Sequence, residues 1–161
     1  MTDLEIKKNI SDKAIEYGIP TIYSFLYDDL SDDFKNEFES SLNITDFGIP
    51  IVKYGHPNGN WVIIGTKKLA IKMEVLNFIP AEQIKGFEVP KTEKEKAKRN
   101  QPDRMNRKFE YEVLTLNIHS SEPINIWLNK RLDYYGFWHV MIRFLKLKND
   151  DNTKYDVIAV K

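Results

Sequence analysis

Three histidines, two clusters of acids and one run of cations are the side chains of this sequence whose types and spacing could do chemistry. His56 stands in KYGHPNGNW beside Asn58 and Asn60. General acid–base work there needs a carboxylate or hydroxyl within hydrogen-bond reach; the sequence places none, so His56 reads as a turn histidine. His119 precedes Ser120, Ser121 and Glu122, the residue types of a nucleophile triad. Neighbours along a single turn do not converge as a triad must. The acids of YDDLSDD (Asp28, Asp29, Asp32, Asp33) lack the central glycine and terminal glutamate of a calcium loop, and they read as helix-capping and solvated charge. Asp103, Glu110 and Glu112 suggest nuclease carboxylates, but no E-x-K follows them. A small hydrolase or nuclease using His56 or the aspartates stays as an alternative. No catalytic residue, metal or cofactor is assigned from the sequence.

The cations concentrate in residues 91–108, where eight basic groups face three acids, a balance of +5. Lys94, Lys96, Lys98, Arg99, Arg104 and Arg107 form the candidate anion-binding set. The stretch has no interleaved aromatics on which bases could stack, and the chain as a whole is neutral. Both facts argue against a dedicated nucleic-acid binder. Residues 1–49 carry four lysines against eleven acids, a balance of −7, a charge asymmetry that suits a polyionic partner or one half shielding the other. His139 and Arg143, four apart in LDYYGFWHVMIRFLKLK, define the polar wedge of an otherwise apolar helix and could hold an anion or a partner's carboxylate. Trp127, Tyr135 and Trp138 join them as candidate partner contacts, because aromatics dominate interface hot spots.

Behind these residues stand elements of two periods. Leu4, Ile6, Ile10, Ala14 and Ile15 make a helical stripe ended by Gly18 and Pro20. Ser31 caps a second helix, in which Phe34, Phe38 and Leu42 recur every four residues. TIYSFLYDDL, between them, could extend either helix. From Ile51 the period falls to two. IPIVKYG and WVII read as strands. In the next, Leu69, Ile71, Met73 and Val75 oppose Lys68, Ala70, Lys72 and Glu74, a strand with one wet face. FIPAEQIKGF reads as a further strand, with Pro80 at an edge or bulge. Residues 90–108 read as a long charged, mobile loop. KFEYEVLTLNI changes phase midway, and Ile124 to Leu128 make another strand. The helix spans about 133–147, with apolar surface on so much of its circumference that the sheet covers one side and the N-terminal helices or a second subunit must cover the other. YDVIAVK closes the chain as a last strand.

WVIIGTKKLAIKMEVLNFIPAEQIKGF resembles the first half of a bacterial PH-like or GRAM-type domain. The likeness rests on Thr66, Lys68 and Leu69 at a turn, on Ile79, Pro80 and Ile84 in a later strand, and on the terminal helix. It covers about residues 50–147, and the helical residues 1–49 and the closing strand lie outside it. It implies an α+β fold: a PH-like antiparallel β-barrel or two packed β-sheets with a C-terminal helix, preceded by N-terminal helices. It also implies binding of lipid, peptide or protein, and rarely catalysis. Only Lys67 and Lys68 flank the first hairpin, which does not support phosphoinositide binding.

The 161 residues are enough for one domain, divided into a helical segment 1–49 and a β-rich core 50–161. With no cysteine there is no disulfide or thiolate site. Charges through the first twenty residues do not read as a signal peptide, and no apolar run reaches membrane-spanning length. A cytoplasmic location is expected. So is a non-catalytic protein- or peptide-binding module, able to form a homo-oligomer through its apolar helix. The alternatives are an immunity-type inhibitor of a bacterial toxin, with Asp28 to Glu39 mimicking nucleic acid, and attachment to anionic membrane through residues 91–108.

Overall fold

The computed structural model describes residues 1–149 and the backbone of Ala159 and Val160. The chain is α+β. Helix α1 (Asp3–Glu16) begins at a capping box in which Thr2 Oγ1 accepts from the Glu5 N–H and Glu5 accepts from the Thr2 N–H. Helix α2 (Asp32–Ser40) begins at Ser31, whose hydroxyl accepts from Phe34 N–H at 3.2 Å. The ambiguous stretch between them extends neither helix. It forms a two-residue strand, β1 (Phe25–Leu26), and a 3₁₀ turn at Tyr27–Asp29. A short helix, α3 (Ile44–Phe47), leads into the first sheet.

That sheet is antiparallel and runs in sequence order: β1, β2 (Pro50–Gly55), β3 (Trp61–Gly65), β4 (Lys68–Lys72) and β5 (Leu76–Pro80). Val62 and Ile64 face the main core, whereas Trp61 and Ile63 point the other way. The far face is not wet as expected. Helices α2 and α3 cover its centre, and Ala70 is buried there among Tyr27, Phe38 and Phe47. Gly65 makes this layer possible, since a Cβ there would overlap the Phe47 ring. Strand β4 stops at Lys72 rather than running on, which leaves Val75 in an exposed turn.

After β5 the chain changes sheets through a 3₁₀ turn at Ala81–Gln83. Thus FIPAEQIKGF is two strands in two sheets. The second sheet has the order β8 (Ile124–Trp127), β7 (Val113–Ile118), β6 (Ile84–Glu88), all antiparallel, with β9 (Ala159–Val160) parallel to β6. The rest of the expected last strand lies outside the described residues. The two sheets are separate and form no closed barrel among the described residues. Ile64 and Leu69 from one sheet and Phe87, Leu114 and Ile126 from the other share one core.

Helix α5 (Leu132–Lys148) completes that core with Phe137, Met141 and Phe144. Its second apolar side is covered within the chain by α1, through Ile6, Ile10 and Ala14. The first turn of α5 is tied to the first sheet. Buried Asp133 accepts from Ser24 Oγ, from Thr21 Oγ1 at 2.6 Å and from Asn129 Nδ2 at 3.0 Å. Ser24 Oγ in turn accepts from Gly55 N–H at 3.1 Å. No helix among the described residues is long and apolar enough to cross a membrane.

Candidate functional site

The expected mobile loop is ordered secondary structure. Residues Lys91–Asn100 form α4, and Arg104–Glu110 form a 3₁₀ helix. KTEKEKAKRN has no apolar stripe, but it is built of strong helix formers. Its acid Glu93 lies in the first turn and Lys98 and Arg99 in the last, as the helix dipole favours. Only Glu93 and Ala97 of this helix are buried. Glu93 Oε1 accepts from the backbone N–H of Glu112 at 2.7 Å and of Val113 at 3.3 Å. A buried carboxylate therefore fastens α4 to the start of β7. Asp103 caps the 3₁₀ helix, accepting from Met105 N–H and Asn106 Nδ2. This helix also takes in Phe109, so the strand expected over KFEYEVLTLNI starts only at Val113.

Between α4, the 3₁₀ helix and α5 lies a cavity of about 480 Å³. One wall is cationic. Lys94 and Lys98, one turn apart on α4, face it together with Arg104, Arg107 and Lys108 of the 3₁₀ helix. The rest of the lining is aromatic, formed by Tyr111, Tyr134, Tyr135 and Trp138, with Val89 beside them. Among the described residues no carboxylate lines it, and none pairs with these five cations. Arg107 is aimed by the backbone: its Nε donates to Gln101 O at 3.0 Å and Nη2 to Pro102 O at 3.2 Å. Lys108 Nζ lies 5.8 Å from the centroid of the Tyr135 ring and 5.3 Å from that of Phe109, distances at which a cation is attracted to the ring face. Tyr134 donates to Val113 O at 3.0 Å. Burial pushes the phenols of Tyr111, Tyr134 and Tyr135 up. They therefore stay neutral donors and add no negative charge to the wall.

The cavity brings together residues from both candidate sets. Lys94, Lys98, Arg104 and Arg107 come from the anion-binding set, and Tyr135 and Trp138 from the partner-contact set. Lys96 and Arg99 point elsewhere: Lys96 Nζ lies 3.6 Å from Glu112, and Arg99 is exposed. Trp138 is a buried wall rather than a surface contact. It is 4% exposed and set edge-on against Phe87. Arg143 is exposed and His139 half-buried, and both meet α1. The His139 ring stacks on Tyr17 at 4.3 Å, and Arg143 Nε donates to Asn9 Oδ1 at 2.8 Å, so both face α1. Trp127 is 38% exposed, on the edge strand β8. Sequence reasoning missed Lys108, Tyr111 and Tyr134. The four-residue step from Lys94 to Lys98 was the available signal.

On the other flank of α4 lies a paired cluster. His56 Nδ1 accepts from Asn58 N–H at 3.1 Å, which puts the ring proton on Nε2, 2.8 Å from Glu112 Oε2. Lys130 donates to Glu110 at 3.0 Å, and that bond raises the Lys130 pKa. His56 thus has the carboxylate that the sequence could not supply, but it does not line the cavity. Among the described residues no group of histidines and acids could hold a metal ion. Comparison with family models, curated proteins and solved structures finds no match to this chain.

Proposed function

We propose that this chain is a non-catalytic binding domain that captures an anionic ligand in the cavity between α4 and α5. The observation that carries this reading is a cavity lined, among the described residues, by five cations, four aromatic rings and no carboxylate. Like charges held close together cost energy unless a counter-charge arrives, and a concave site with an apolar side is where proteins bind ligands. The PH-like likeness supports it, since two antiparallel sheets followed by a helix suit binding rather than chemistry. Titration calorimetry with inorganic triphosphate at about 50 mM salt, where screening is modest, tests it. Binding should weaken about tenfold or more in a Lys98→Ala/Arg107→Ala double variant, the loss expected for two charge-assisted contacts. Absence of any heat with the wild-type chain would overturn the proposal.

A protein or peptide partner is a second reading, favoured by Trp127. Its ring is exposed on β8, which among the described residues is an edge strand of the second sheet, the kind of position where a partner strand can add. If that partner is a second copy, sedimentation should show a concentration-dependent mass that Trp127→Ala removes.

A further inference from the structure

We infer that the ligand of this cavity is a nucleoside polyphosphate, its phosphates against α4 and the 3₁₀ helix and its base against the tyrosine wall. The inference rests on the anion-binding reading above and narrows it.

Charge comes first. Five cations within one cavity of about 480 Å³ exceed what a single carboxylate or monophosphate can neutralise, whereas a di- or triphosphate brings three or four negative charges on one flexible chain. Arrangement comes second. Lys94, Lys98, Arg104 and Arg107 line the same cavity as the rings of Tyr111 and Tyr135, and Lys108 Nζ lies 5.8 Å from the Tyr135 centroid. The complementary ligand therefore joins negative charge to a planar group. Bases stack on aromatic rings whatever their identity, and the half-buried rings of Tyr111 and Tyr135 line the cavity. Preorganisation comes third. Two backbone carbonyls hold Arg107 in position before any ligand arrives, and a planar guanidinium so held matches phosphate oxygens in pairs. The volume also fits a compact small molecule.

The test is calorimetry on the full chain with ATP, inorganic triphosphate and adenosine, each without divalent metal. ATP should bind at least about tenfold more tightly than triphosphate, the gain expected from stacking one base, and adenosine should give no measurable heat. Tyr111→Ala and Tyr135→Ala should bring ATP down to the triphosphate affinity and leave triphosphate unchanged. Lys98→Ala/Arg107→Ala should weaken both. If triphosphate binds as tightly as ATP, the nucleoside is wrong and the anion site stands. If neither binds, both readings fall. A phosphotyrosine peptide that outcompetes ATP would overturn the nucleotide in favour of a modified protein. The wild-type comparison decides by itself should a tyrosine variant fail to fold.

Discussion

The two flanks of α4 carry the same kinds of cation in opposite circumstances. On one, Lys96 and Lys130 meet Glu110 and Glu112, and His56 shares the same carboxylate. On the other, Lys94, Lys98, Arg104, Arg107 and Lys108 line a cavity that no carboxylate lines among the described residues. Charges paired within the fold are structural and partly exposed, and they contribute little to stability. Charges gathered in a concavity without a partner add repulsion to the fold, and a ligand's counter-charge removes it. One helix can serve both purposes because residues 94 and 98 share a face and residue 96 does not.

The largest effect expected comes from breaking the anchor that keeps the two flanks apart. Glu93→Ala removes the acceptor of one buried and one partly buried backbone N–H, which should cost about 2–4 kcal/mol. Scanning calorimetry should show Tm falling by roughly 5–10 °C; a change below about 2 °C would mean that something else fastens α4. Next comes the cationic wall itself. Lys98→Ala/Arg107→Ala should lower triphosphate affinity about tenfold or more while stability in denaturant titration stays within about 0.5 kcal/mol. Equal losses of stability and affinity would show the wall to be structural.

A third measurement concerns the aromatic wall. Burial raises the phenol of Tyr134, and in the outer layer pushes that of Tyr27 up to about 12. A raised folded-state value stabilises the fold fully below the ordinary tyrosine value near pH 10, and this contribution is lost as pH climbs through the raised value. Stability should thus decline above about pH 10, with phenolate absorbance at 295 nm appearing together with unfolding. Ionisation of Tyr27 or Tyr134 while the fold persists would contradict the packing described. The smallest effect is expected at Lys96→Ala, a partly exposed pair 3.6 Å long. It should cost about 0.2–1 kcal/mol and shift triphosphate affinity less than about twofold. A tenfold loss there would erase the distinction between the flanks.

Much of the framework was legible before the structure. Ser31 caps its helix, Gly65 to Lys67 reverse the chain between β3 and β4, and the wide apolar face of residues 133–147 called for cover on two sides, one of which α1 supplies. What stayed hidden had a physical reason in each case. Helix α4 has no apolar period, because one carboxylate and one alanine hold it down. Strand β1 is too short to show alternation. The wet face predicted for β4 is dry because α2 and α3, thirty residues earlier, fold over it. The cations of residues 91–108 lacked aromatic neighbours in sequence. Their aromatic wall comes from Tyr111 and from α5, a juxtaposition that tertiary structure alone creates.

Strand β3 divides its side chains between two cores, with Val62 and Ile64 inward and Trp61 and Ile63 outward under α2 and α3. The outer cluster is the smaller and rests on Phe38 and Phe47. Its helices can therefore lift away while the inner core stays shut. Amide exchange should record this as two steps, with α2 and α3 opening at lower free energy than β3 and β4 beneath them.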